Sequence, residues 1–263
     1  MEQMRPEAAN TTGDLVRRYT ESQRRLILLD YDGTLAPFAY RPEDATPSKE
    51  TLQLLHTLAF DERNHVHIVS GRQHSFLERW LNIRNVTLIS EHGAGVRQKN
   101  SEWVFKTMDE SWKPAITQIL KDFCSSSPGS FIENKRFALV WHYRMMDSEL
   151  GLVRSKEVLD IIMPIAKQAN LDVLSGSRVI EVKPNYINKG LAISRILEQN
   201  KYDFIIAVGD DKTDEDMFKV LPDSAYTIKV GNGYTSARYR ILKQDDVPRL
   251  LARLSLSTQV RHN

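Results

Sequence analysis

A chain of 263 residues with a single cysteine, Cys124, forms no internal disulfide and fits a reducing compartment. With no second thiol beside it, Cys124 builds no thiolate metal site and reads as a packing residue. Long apolar runs are missing too. No stretch approaches the roughly 20 residues that span a bilayer, and the opening MEQMRPEAANTTGD carries no apolar secretory region. Charge of one sign is scarce, because 36 Lys and Arg stand against 34 Asp and Glu and leave a net +2. That balance argues against nucleic acid or an anionic membrane as partner. Repeats and low-complexity tracts are absent apart from SSSPGS at Ser125–Ser130, which reads as a loop. What remains is a globular protein of ordinary composition, 41% hydrophobic and 27% charged, expected in the cytoplasm.

What is present is organised around RLILLDYDGTL at Arg25–Leu35. Leu26 to Leu29 are apolar on both parities, as in a strand buried on both faces of a parallel sheet. Ligands of open α/β sheets bind beyond the carboxyl ends of the strands, so Asp30 and Asp32 are expected at the mouth of a site. HVHIVSGR, VTLISEHGAG, DFIIAVGDD and AYTIKVGN follow the same plan. Helices are expected over Asp14–Arg25, Thr46–Leu58, Ser75–Leu81, Lys189–Asn200, DEDMFKVL and Val247–Leu254, with Met1–Gly13 as a polar lead-in. Residues 108–185 break the alternation: a helix over Asp109–Phe123, strands FIENKR and FALVWHYR, a helix over Asp147–Ala169, and a hairpin of LDVLSG and SRVIEVKP around Gly176. The expected architecture is therefore a doubly wound, Rossmann-like α/β core made of residues 1–107 and 186–263. An α+β cap is inserted between the two parts.

The strand-like runs end in DYDGT, SGR, SEHG, GDDKTDED and VGNG, which gathers the polar clusters on one edge of the sheet. Singly, each has an ordinary reading as a turn or an acidic helix start; together they describe chemistry. Asp30, Asp32 and Asp210, backed by Asp211 and Asp214, form a carboxylate cluster whose repulsion calls for a hard divalent cation, Mg2+ above all. Ser70 offers a hydroxyl, its neighbour Gly71 a backbone N–H, and Lys189 a point charge at a helix start, a suitable grip for phosphate oxygens. A carboxylate nucleophile, a cation and a phosphate cradle point to phosphoryl transfer.

DxDGT, then Ser70, then Lys189, then GDDxTDE match the signature of the haloacid dehalogenase superfamily of phosphatases. With the inserted cap and the order SGR, SEHG, IENK, HYR, IEVKP and NKG, the chain closely resembles the trehalose-6-phosphate phosphatase family, and DYDGTLAPF with GDDKTDEDMF resembles its fungal members. The resemblance implies that Asp30 attacks phosphorus and that Asp32 protonates the departing sugar oxygen and later activates water, with Thr34 tethering the loop. It implies Mg2+ on Asp30, the Asp32 carbonyl and Asp210, with Asp211 and Asp214 supporting, and phosphate held by Ser70, Gly71 and Lys189. Sugar contacts are implied for Glu133, Lys135, Arg144, Glu181 and Lys183 of the cap and for Arg72 and His92 of the core, while the alternation of Glu181 and Lys183 on a strand also reads as ordinary cross-strand pairing. Trp141 and Tyr143 are expected in cap-sheet packing. The implied substrate is trehalose 6-phosphate, and the implied setting is a larger trehalose-synthesis polypeptide or complex.

Three other readings compete. A phosphatase of a different sugar phosphate, such as sucrose phosphate or mannosyl-phosphoglycerate, keeps the chemistry and changes the cap. A receiver-type phospho-acceptor shares the acidic cluster, hydroxyl and lysine, yet has no need of a sugar-binding cap or of Asp32 as acid and base. An inactive regulatory domain is disfavoured because every catalytic position is filled.

Overall fold

The computed structural model describes residues 8–39, 41–176 and 178–259. It divides into two compact units, one made of residues up to Val104 and from Asn188 onward, the other of Phe105–Ile187. Along the chain, α1 (Ala8–Glu21) leads into β1 (Arg25–Leu29), α2 (Lys49–Phe60), β2 (Asn64–Val69), α3 (His74–Trp80), β3 (Thr87–Ser90) and the short strands β4 (Gly95–Arg97) and β5 (Trp103–Phe105). Next come α4 (Lys113–Ser125), β6 (Phe131–Asn134), β7 (Leu139–His142), α5 (Ser148–Gln168), β8 (Leu171–Gly176) and β9 (Val179–Pro184). The chain closes with α6 (Lys189–Gln199), β10 (Phe204–Gly209), α7 (Lys212–Val220), β11 (Tyr226–Val230), β12 (Tyr239–Ile241) and α8 (Val247–Gln259).

Among the described residues the first unit carries a sheet in the order β12-β11-β10-β1-β2-β3-β4-β5. The neighbours from β12 to β3 pair in parallel, and β4 turns back antiparallel to β3. The two parities of β1 serve the two faces. Ile27 and Leu29 join a core with Leu15 and Tyr19 of α1, Leu55 and Leu58 of α2 and Leu251 of α8. Leu26 and Leu28 join a second with Ile193 of α6 and Met217 and Phe218 of α7. All four are fully buried, each contributing roughly 1.5–3 kcal/mol, so the end of β1 is held in place from both sides. The chain winds outward from β1 through β2 and β3 one way, and from β10 through β11 and β12 the other. The crevice beyond β1 and β10 is thus the topological switch point, where α/β sheets bind ligands.

The second unit pairs an antiparallel sheet, β6-β7-β9-β8, with α4 and α5. Leu139 and Trp141 of β7 and Ile180 and Val182 of β9 face Ile116 and Leu120 of α4 and Val158 and Ile162 of α5. Trp141 stacks on Tyr143 with ring centroids 4.9 Å apart, and both are buried packing residues.

Local corrections have physical causes. Helix α1 begins at Ala8, earlier than expected at Asp14, and ends at Glu21 instead of running to Arg25; Asn10, Thr11, Thr12 and Gly13 are weak helix formers and concealed it. The rest of the supposed polar lead-in, residues 1–7, lies outside the described residues. VTLISEHGAG is not one strand, because β3 ends at Ser90 and Glu91 and His92 adopt positive φ of 44° and 57° before β4 begins.

Candidate active site

Beyond β1 the backbone N–H of Asp30 still donates to the Val208 carbonyl of β10 at 3.0 Å, which fixes this residue at the switch point. The loop then closes on itself, with the Tyr31 carbonyl accepting from the N–H groups of Leu35 and Ala36, each at 2.9 Å. Gly33 sits at φ +73°, and a Cβ there would collide with the Asp210 carboxylate, so glycine lets the loop approach β10. Thr34 departs from the expected tether. Among the described residues its buried hydroxyl has no hydrogen-bond partner, and its carbonyl accepts instead from the Gln244 side chain at 2.9 Å.

Asp30, Asp210 and Asp214 each present a carboxylate oxygen within 4.8 Å of the others. Lys189 opens α6 because Asn188 caps the helix, accepting from the Leu191 N–H at 2.8 Å. Its Nζ donates to Asp30 Oδ1 at 2.5 Å and to Asp214 Oδ1 at 2.8 Å. These three groups are almost fully buried, with Asp30 4%, Asp214 0% and Lys189 2% exposed. Burial works against the Lys189 ammonium, yet Asp214 and Asp30 hold it in the charged form. Burial and the charge of Asp214 push the Asp30 carboxyl well above the usual range, against the pull of Lys189. Burial, Asp214 and Asp211 likewise raise Asp210, to about 7.

Negative charge therefore exceeds what Lys189 neutralises, and Asp210 Oδ1 is buried with no hydrogen-bond partner among the described residues. This arrangement fits a divalent cation, which supplies both the missing charge and a partner for that oxygen. Asp214 serves as a support, since its Oδ2 accepts from the N–H groups of Asp210 and Asp211, each at 3.0 Å, while Oδ1 holds Lys189. Asp211 lies outside the cluster. It is exposed and caps α7, accepting from the Lys212 N–H at 2.6 Å in a capping box with Asp214.

The neighbouring strands add the rest. Ser70, 1% exposed, extends the β2 pairing by donating its N–H to the Ile89 carbonyl at 2.9 Å, and its Oγ accepts from the Arg72 N–H at 3.0 Å. Gly71 has no side chain because the buried His92 ring occupies the space a Cβ would need. The left-handed turn at Glu91 and His92, costly for residues with side chains, is latched onto this loop by Glu91 N–H to Arg72 O at 3.0 Å and His92 N–H to Ser70 O at 2.9 Å. Arg72 turns its guanidinium to Asp32, with Nε to Oδ2 at 2.7 Å and Nη2 to Oδ1 at 2.5 Å. Lys229, which the sequence reading passed over, donates from Nζ to the backbone carbonyl of Asp210. A lysine inside the apolar run AYTIKVGN was the available signal, because a buried lysine requires a partner.

In the α+β unit, register places Glu133 opposite Val140, and Val140 opposite Glu181, across β6, β7 and β9 on the sheet face away from the helices. Glu133 Oε2 meets His142 Nε2 at 2.9 Å, Phe131 stacks on His142 at 4.5 Å, and Lys135 Nζ meets Glu181 Oε1 at 3.4 Å. Arg144 is half-buried in the turn before α5. Lys183, expected as a sugar contact, is only 2% exposed; it donates to the Ile187 carbonyl and reaches Asp172 at 3.4 Å.

The profile of the family described as trehalose-phosphatase matches residues 28–242. A Dictyostelium discoideum protein named alpha,alpha-trehalose-phosphate synthase [UDP-forming] B is 41% identical over 91% of this chain and 31% of its own length. A trehalose-phosphatase of Zygosaccharomyces rouxii is 39% identical over 80% of this chain and 26% of its own length. The chain thus spans less than a third of these curated relatives. The solved C-terminal domain of C. albicans trehalose-6-phosphate phosphatase superposes with a TM-score of 0.89 at 32% identity, covering 97% of this chain and 99% of that one.

Proposed function

The chain belongs to the trehalose-phosphatase family, and on that premise we propose that it is a Mg2+-dependent phosphatase converting trehalose 6-phosphate to trehalose and inorganic phosphate. The observation that carries this reading is the buried constellation at the switch point: Asp30 and Asp214 joined through Lys189, beside the unpartnered oxygen of Asp210. Lys189 fixes the Asp30 carboxylate through Oδ1 and orients it for attack on phosphorus. As the Asp30–phosphorus bond forms and the bond from phosphorus to the sugar oxygen breaks, the Asp32 carboxyl gives its proton to that oxygen. The Asp32 carboxylate then takes a proton from water, whose oxygen bonds to phosphorus and frees Asp30 and inorganic phosphate. Ser70, the Gly71 N–H and Lys189 hold the transferring group. Asp30, Asp210 and the Asp32 carbonyl would hold Mg2+, with Asp214 and Asp211 behind them, and the ion would supply Lewis acidity toward the phosphoryl oxygens.

Selection of the sugar falls to the α+β unit, the proposed cap, through Glu133, Lys135, Arg144 and Glu181, with His92 contributing from the core. Their charged groups suit a substrate rich in hydroxyls. The setting is a longer trehalose-synthesis polypeptide or complex in the cytoplasm. Its length is supported by the greater length of the relatives, one of which, from Thermoproteus tenax, is named a bifunctional trehalose-6-phosphate synthase/phosphatase. No helix of the described residues is long and apolar enough to cross a membrane. A phosphate-release screen over sugar phosphates, with and without Mg2+, tests the reading. Trehalose 6-phosphate is expected to lead and to require the metal, and faster turnover of sucrose phosphate would reassign the substrate.

A further inference from the structure

Asp32 has to give and take a proton during the reaction proposed above, and its side chain is only partly covered, at 28% exposed. A carboxylate on a loop has several rotamers, so something must select one. The Arg72 guanidinium does so by a two-point fork, with Nε on Oδ2 at 2.7 Å and Nη2 on Oδ1 at 2.5 Å, a planar match that fixes direction as well as distance. Arg72 is itself built in. Its guanidinium lies 4.3 Å over the Phe76 ring, Phe76 meets Tyr31 edge-on at 5.6 Å, and Tyr31 is the residue before Asp32. Its backbone N–H bonds Ser70 Oγ and its carbonyl accepts from Glu91. Tyr31, Phe76, Arg72 and Asp32 thus close a ring of contacts linking the nucleophile loop to the phosphate loop.

We propose that Arg72 is a positioning residue for Asp32, setting the orientation from which that carboxyl reaches the departing oxygen, rather than a residue that touches the sugar. The proposal rests on the phosphatase reading and deepens it. Both oxygens of Asp32 accept from the fork, so one has to leave Arg72 to reach the departing oxygen while the bond kept by the other sets its direction. Loss of the fork is then expected to act first on the proton-transfer role.

The test compares Arg72→Gln and Arg72→Lys with the unsubstituted chain on trehalose 6-phosphate and on aryl phosphates of graded leaving-group quality, each also in the Asp32→Asn background. Arg72→Gln is expected to lower kcat with KM held, by a factor that grows as the leaving group worsens and reaches about 10²-fold for the sugar. Arg72→Lys, which keeps charge without the fork, is expected between the two. In the Asp32→Asn background Arg72→Gln is expected to cost nothing more. A rise in KM confined to the sugar and persisting with Asp32→Asn overturns the proposal, as does a loss in kcat/KM, which reports the leaving-group step, that is equal for every ester. If trehalose 6-phosphate is no substrate but aryl phosphates are, the substrate reading fails while the leaving-group series still judges Arg72. If no ester is hydrolysed, a crystal structure of Arg72→Gln decides: Asp32 displaced supports the proposal, and Asp32 unmoved refutes it.

Discussion

The two units treat their charged residues differently. At the switch point of the α/β unit, Asp30, Asp214 and Lys189 are buried almost completely and bound to one another at 2.5–2.8 Å. In the α+β unit, the paired candidates leave more room: the Glu133 side chain is 32% exposed, and Lys135 meets Glu181 at a looser 3.4 Å. A reaction shared across a superfamily needs charges held in one geometry before substrate arrives, whereas hydroxyl recognition exchanges protein pairs for pairs with substrate. On the proposed reading, that contrast separates chemistry from selectivity by packing.

The sharpest way to break that separation is Asp30→Asn, expected to abolish measurable phosphate release from every ester, because phosphate monoesters are accelerated by up to about 10²¹-fold. Asp32→Asn should retain traces, most visible with aryl leaving groups. Normal turnover by Asp30→Asn in a phosphate-release assay ends the covalent mechanism. Next in size, Lys189→Met leaves Asp30 and Asp214 buried without their shared partner and is expected to cost about 3–5 kcal/mol in denaturant unfolding of the metal-free protein; an unchanged midpoint means the lysine is not structurally coupled to them.

In the other unit, Glu133→Ala and Arg144→Ala are expected to reduce kcat/KM for trehalose 6-phosphate by about 10–100-fold, the worth of a charged hydrogen bond, and to spare a small aryl phosphate. Equal losses on both substrates would place these residues in the fold or the chemistry instead.

The smallest effect is a proton. Burial and the neighbouring acids raise Asp210 from 3.8 to about 7, so in the metal-free protein this carboxyl is largely protonated at about pH 6 and must release its proton to the buffer when a cation binds. Its contribution to stability is present below about pH 4 and is lost as pH rises through about 7. Metal-free protein should therefore weaken over that window, and Mg2+ should restore it. Calorimetry of Mg2+ binding in two buffers should show proton release at about pH 6 that fades above about pH 8; release independent of pH assigns the proton elsewhere.

Much of this was legible because it is local. A double-parity apolar run marked β1 as a central strand, and acidic and glycine-rich strand ends marked the edge where Asp30 and Asp210 meet. Less legible was whatever depends on partners far along the chain. The resemblance implies a sugar contact for Arg72, and nothing in SGR announces the fork it makes with Asp32, forty positions away in the sequence. Lys183 alternates with Glu181 as ordinary cross-strand pairs do, and it pairs across strands with Asp172 while donating to the Ile187 carbonyl, a partner the strand pattern does not announce. Glu91 and His92 carry no glycine to announce their positive φ, since tertiary hydrogen bonds hold that turn.

By itself the sequence determined the five central parallel strands, the inserted unit and the candidate reactive groups, but not the short strands β4, β5 and β12, because periodicity and residue chemistry are carried by neighbours a few positions apart. The tertiary structure alone decided which charges neutralise which. Burial gathers a list of aspartates into one cluster only where Lys189 comes between Asp30 and Asp214, and Arg72 meets Asp32 only where the fold brings their two loops together.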